Sequence, residues 1–133
     1  MALEKKEEEV DTPIVIVESP FAGDLTRNTQ YLRAALADCL GRGEAPFASH
    51  ALYTQPGVLD DNNPEERARG IAAGFAFHAV ADKMVVYVDL GISSGMKAGI
   101  DNANKLSLPV EMRTLDGWES SSSATCSDQK AMP

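Results

Sequence analysis

Apolar positions are arranged in two ways along this chain. Continuous short runs alternate with longer stretches in which apolar residues recur at helical spacing. "PIVIVES" (13–19) is a β-branched run bounded by Pro13 and by Ser19-Pro20. It reads as a fully buried strand. In "GDLTRNTQYLRAALADCLGRG" (23–43), Leu25, Tyr31, Leu32, Ala35, Leu36, Cys39 and Leu40 share one helical face, and Gly41 and Gly43 supply a stop. A very short strand is predicted near Pro46 to Ala48, followed by a polar loop over 49–63 rich in Pro, Gly, Asp and Asn. Residues 63–81 predict the next helix, with Asn63 as N-cap, Pro64 in the first turn, and Glu65 and Glu66 complementing the dipole. "DKMVVYVDLG" (82–91) is a second buried strand, residues 93–107 a helix, and "PVEMR" (109–113) a final short strand.

Strand and helix thus alternate regularly. The pattern predicts an α/β fold, Rossmann-like and doubly wound, with a mostly parallel sheet of about four to five strands and helices on both faces. Ligands in such sheets bind beyond the carboxyl ends of the strands, where strand order reverses. The segments Glu18–Gly23 and Asp89–Met96 leave the two strongest strands and are expected to face each other across a cleft, with 49–63 as its third wall. The charged start (1–12) reads as a flexible arm. The Ser-rich end "ESSSSATCSDQKAMP" (119–133) reads as a disordered tail, since it has too little apolar surface to offset ordering entropy. The domain is expected over 13–118.

Composition narrows the function classes. The chain has 133 residues, 44% hydrophobic and 24% charged, which suits one globular domain. A formal net charge of -8 argues against a nucleic-acid partner, which needs clustered Lys and Arg. No apolar run reaches the roughly 18 residues of a membrane helix, and no secretory signal opens the chain, so a cytoplasmic location is expected. Cys39 and Cys126 are too few for a disulfide framework. No His/Cys cluster has metal-ligand spacing, and the chain carries neither a P-loop nor a GxGxxG, so no metal and no cofactor is expected.

Candidate chemistry gathers at the strand exits. Ser93, Ser94 and Gly95 precede a helix and can hold phosphate or a sugar oxygen, although on pattern alone a plain Ser N-cap, the commoner arrangement, explains them better. Pro20 and Gly23 shape the first exit, where Phe21 can lie against a base or merely close the core. His50 follows the short strand as a binding or a structural histidine, and His78 sits on an apolar helix. Glu18, Asp24, Asp60, Asp61, Glu65, Glu66 and Asp89 are carboxylates, any of which can act as an acid or base; Asp89 is the best placed by position alone. Gly99 interrupts a helix at a cost of about 1 kcal/mol relative to Ala, which points to a close approach there.

Taken in order, "VESPFAGD", "PFASHALY", "LDDNNPEERARGIAAG" and "VDLGISSGMKAGIDNANKLSLPVE" resemble small phage and bacterial proteins related to the nucleoside 2-deoxyribosyltransferases. The resemblance spans about Pro13 to Leu115. It implies a Rossmann-like domain, usually a homo-oligomer, with a nucleoside or nucleotide pocket at the strand ends. It places Ser19, Pro20 and Phe21 beside sugar or base, an acidic catalytic residue near Asp89, and a 5′-hydroxyl or phosphate on Ser93 and Gly95. In the enzymes, the helix after that turn supplies a glutamate that attacks the anomeric carbon, and here Gly99 stands in its position. Asp101 is rotated about 200° from it around the helix.

Two functions follow as expectations. One is a binding protein that holds a nucleotide-derived small molecule without efficient turnover, as a phage protein sequestering a host signal would. It would use Phe21 and Tyr53 against a base, Ser93, Ser94 and Gly95 on phosphate, and His50 or Asp89 on a sugar hydroxyl, with Gly23, Met96 and Gly99 lining the pocket. The other is an N-glycosidase or deoxyribosyltransferase with a relocated carboxylate, Glu18 or Asp89.

Overall fold

The computed structural model describes residues 12–118. The arm expected over 1–12, Thr12 apart, and the tail expected over 119–133 lie outside the described residues. Strands β1 (Ile14–Glu18), β2 (Ala45–Phe47), β3 (Lys83–Tyr87) and β4 (Val110–Arg113) form one sheet in the order β2-β1-β3-β4. Every pairing is parallel, with Val17 opposite Val85 and Val86 opposite Met112 at its centre. The expected doubly wound α/β sheet is therefore present, with four strands. Its order reverses between β1 and β3: the chain moves outward from β1 to β2 and, on the other side, from β3 to β4.

Helices α1 (Leu25–Gly41), α2 (Ser49–Tyr53), α3 (Pro64–Ala76) and α4 (Ser94–Lys105) connect the strands, with a 3-10 turn at Phe77–Val80. Side chains alternate across a strand, so each β-run feeds two cores. Val15, Val17, Val85 and Tyr87 pack against Tyr31, Leu32, Ala35 and Cys39 of α1. Ile16, Met84 and Val86 pack against Met96 and Ala103 of α4 and against Leu108. Each such fully buried side chain contributes about 1.5–3 kcal/mol by leaving water. The caps are local. The Asp24 carboxylate accepts from the Arg27 amide at 3.1 Å, and Asn63 Oδ1 accepts from the Glu65 and Glu66 amides at 3.0 Å each.

Two segments differ from expectation. Residues 49–53 are helical where a loop was predicted. The polar and turn-rich residues after Tyr53 hide a single helical turn whose Ala51 packs on the α1-side core. The apolar stretch 70–81 is broken: α3 ends at Ala76 and the 3-10 turn follows. Its glycines admit this chain's own connection. A Cβ on Gly70 would stand 3.3 Å from Leu59, and one on Gly74 3.0 Å from Ser49. Among the described residues, no helix is long and apolar enough to cross a membrane.

Candidate functional site

A cleft of about 300 Å³ opens at the carboxyl ends of β1 and β2 and meets the start of α4, beside the point where strand order reverses. Glu18, Phe21 and Ala22 leave β1 to form one side, and Ser93, Ser94, Gly95 and Ala98 at the start of α4 form the next. The segment 49–61 closes the third side through His50, Tyr53, Leu59 and Asp61, backed by Arg67 and Ile71 of α3.

Glu18 is the distinctive group of this cleft. It is the last residue of β1, in register with Val86, and follows Ile16 on the face that meets α4. Its carboxyl lies against Gly99. A Cβ built on Gly99 would meet Glu18 Oε2 within contact distance and Cδ at 2.8 Å, closer than real side chains stand. The opening in α4 left by the missing side chain is thus filled by the carboxyl of Glu18. Burial alone pushes that carboxyl up to about 8, with no donor or cation among the described residues pulling it back. A buried carboxyl without a compensating partner is costly, and such groups concentrate at functional sites.

The surrounding residues are held by ordinary contacts. Asn28 Nδ2 donates to the carbonyls of Phe21 and Ala22 at 3.0 and 3.1 Å, which pins the β1 exit. Phe21 stacks on His50 with ring centroids 4.6 Å apart and planes 27° off parallel. Desolvation lowers the proton affinity of His50, with Arg67 acting in the same direction and Asp61 opposing. Ser93 Oγ accepts from the Met96 amide at 3.2 Å, so its hydroxyl caps α4 while it lines the cleft.

Not every residue singled out in the sequence reaches the cleft. Asp89 lies two positions beyond Tyr87 and shares its parity, so it falls on the α1 side. There its carboxylate accepts from Tyr31 Oη at 2.7 Å and from the Leu115 amide at 2.9 Å. It does not line the cleft. Glu18, at the end of β1, and Asp89, just beyond β3, therefore fall on opposite faces of the sheet. Met96 is buried in the α4-side core. Ser19 is buried, its hydroxyl without a partner among the described residues, Gly23 takes φ +103° in the turn, and Pro20 stands outside the lining. Among the described residues no group of three or more His, Cys, Asp and Glu is arranged to hold a metal.

Sequence reasoning missed Asn28 and Arg67. Asn28 carried a signal, a polar residue among the buried positions of α1. Arg67 carried none, since its place in the cleft depends on how the connection 54–63 folds back over α3.

A family model described as "Domain of unknown function (DUF7768)" matches residues 13–113, and the chain belongs to that family. A solved 2-deoxyribosyltransferase from the psychrotolerant bacterium Bacillus psychrosaccharolyticus shares the fold with a TM-score of 0.62 at 16% identity. The match covers 78% of this chain and 74% of that one. No curated protein matches the sequence.

Proposed function

We propose that this family member binds a nucleoside or nucleotide in the cleft and breaks its N-glycosidic bond through Glu18. One observation carries the reading: the Glu18 carboxyl fills the space that a side chain on residue 99 would occupy. The resemblance to deoxyribosyltransferases puts an attacking glutamate at that position of the helix. Here β1 brings a carboxyl to the root of that side chain's space, and the fold shared with the solved 2-deoxyribosyltransferase supports the comparison.

In the proposed step, ionised Glu18 attacks the anomeric carbon. A carbon–oxygen ester bond forms as the carbon–nitrogen bond breaks, and the electron pair leaves with the base, which takes a proton. Water, or a second base, then attacks the same carbon and frees the carboxylate. Burial makes the carboxylate a strong nucleophile and also holds its proton up to about pH 8. Accordingly kcat/KM rises with pH and levels off above about 8.

The test is incubation with nucleosides and their 5′-phosphates, followed by chromatography for free base. Wild type releases base, and Glu18→Gln lowers the rate at least about 10³-fold. Equal release by the variant overturns the assignment. A second reading, retention with little turnover, draws support from the same raised proton affinity, because below pH 8 the group is mostly neutral and cannot attack. Recovery of intact nucleotide from the protein at pH 9 favours that reading, in which the domain sequesters its ligand.

A further inference from the structure

Besides Glu18, the cleft wall carries two charges of opposite sign. Asp61 sits just before α3 and Arg67 in its first turns. Arg67 Nε stands 3.7 Å from Asp61 Oδ1, too far for a hydrogen bond, so both groups keep bonding capacity. Their positions are set by the backbone around them. The Asp60 amide donates to Glu66 Oε1 at 2.7 Å, the Asn62 amide to Asp60 Oδ1 at 2.9 Å, and the Asn63 amide to the Asp60 carbonyl at 3.0 Å. Leu59 seats on Gly70 and fixes the start of the turn. Both groups line the cleft together with His50, whose ring stacks on Phe21, so the pair shares the cleft with the aromatic wall where a base would lie.

We infer that Asp61 and Arg67 read the edge of the base, and that the base they fit is guanine. The inference rests on the nucleoside reading of the cleft. A carboxylate only accepts and a guanidinium only donates. The pair thus selects a planar edge with adjacent donors next to an acceptor. Guanine offers N1–H and the 2-amino group to one carboxylate and O6 to the guanidinium, charge-assisted bonds of the stronger kind. Hypoxanthine lacks the 2-amino donor. Adenine presents one donor and one ring acceptor and leaves a carboxylate oxygen unmet. Sites built on such bonds discriminate because the wrong base displaces water from the two groups without replacing its hydrogen bonds. The opposed charges also cancel, which suits a neutral base better than a second anion.

The experiment is calorimetric titration of the full chain with guanosine, inosine and adenosine, repeated on Asp61→Asn and Arg67→Gln. The expected order is guanosine, inosine, adenosine, with at least about a tenfold range from first to last. Asp61→Asn removes the preference for guanosine over inosine. Arg67→Gln weakens both 6-oxopurines while changing adenosine less. Equal binding of the three by wild type, or equal losses for all three in both variants, overturns the inference. Glu18→Gln in the base-release assay separates the two readings. Release that depends on Glu18 without base preference leaves the glycosidic reading standing and removes this one. No binding of any nucleoside removes both.

Discussion

The two faces of the sheet treat their carboxyls in opposite ways. On the α1 side, Arg113 reaches Glu44 with both ends of its guanidinium, at 2.8 and 2.7 Å, and donates through Nε to Glu111 at 2.8 Å. Tyr87 Oη receives a further bond from Arg113 at 3.1 Å and donates to Asp38 at 2.7 Å, while Lys83 pairs with Glu111 at 2.9 Å. Every carboxylate in this network has a donor. The hydrogen bond from Arg113, with Lys83 behind it, holds Glu111 down to about 2, and Arg113 holds Glu44 below the usual range. On the α4 side, Glu18 is pushed up to about 8. The same fold that satisfies one set of acids leaves another without a partner among the described residues. Satisfied networks fix a structure, whereas a desolvated lone acid destabilises it and is retained where it serves a reaction.

The largest expected effect comes from breaking the satisfied face. Arg113→Met leaves Glu44, only 7% exposed, as a buried charge without its main partner. Removing one member of such a pair costs about 3–5 kcal/mol, measured as a shift in the urea midpoint with unchanged slope. A loss under 1 kcal/mol means that water replaces the guanidinium, and the contrast between the faces weakens.

Glu18→Gln acts in the opposite sense and depends on pH. The native carboxyl binds its proton more tightly than the unfolded chain does, so from about pH 4.5 to about pH 8 the folded state holds the extra proton. Wild type therefore loses stability across that window as pH rises, and the amide variant does not. The variant's stability relative to wild type improves by roughly 2–4 kcal/mol between pH 4 and pH 9. Paired urea titrations at the two pH values measure it, and a pH-independent gap means that Glu18 is solvated.

Much of this architecture is legible without coordinates. The β-branched runs 14–18 and 83–87 and the α1 stripe fix the buried layers, because continuous and 3.6-spaced apolar patterns each have one stable placement. The cleft's position follows from alternation of strand and helix. What the sequence does not display is strand parity at the exits. Glu18 and Asp89 look equivalent, each an acid at the end of a buried run. Yet one continues the Ile16 face toward α4 and the other the Tyr87 face toward α1. Asp61 is one of several candidate acids in the sequence, but its pairing with Arg67 is not legible, because it depends on how the turn closes on its own amides. Gly99 signalled a close approach but not the group that makes it.

Gly99→Ala probes that approach. The added methyl gains up to about 1 kcal/mol of helix propensity and meets the flexible end of Glu18, which can move aside. Stability should change by less than about 1 kcal/mol, while a carboxyl displaced by about 1 Å loses roughly 10²-fold in turnover. The displaced group gains water, so the pH level at which kcat/KM plateaus falls. Full activity in this variant separates the glycine from the reaction.

The smallest effect is expected at Asp89, and it tests the comparison from the other side. Tyr31 Oη and the Leu115 amide both donate to Asp89 Oδ2, so asparagine can keep these bonds on its one oxygen, while its amino group replaces Oδ1 and meets the Leu115 amide that donates to it at 3.3 Å. Losing one such bond costs about 1 kcal/mol. The change is confined to the contact between α1 and the segment after β4, where Trp118 rests on Tyr31 with centroids 5.1 Å apart. Base release by Asp89→Asn should stay within about twofold of wild type, because no atom of the cleft moves and a structural loss of this size leaves the protein folded. A collapse of turnover comparable to that of Glu18→Gln, with the fold intact by circular dichroism, would place chemistry on the α1 face and undo the division between the two.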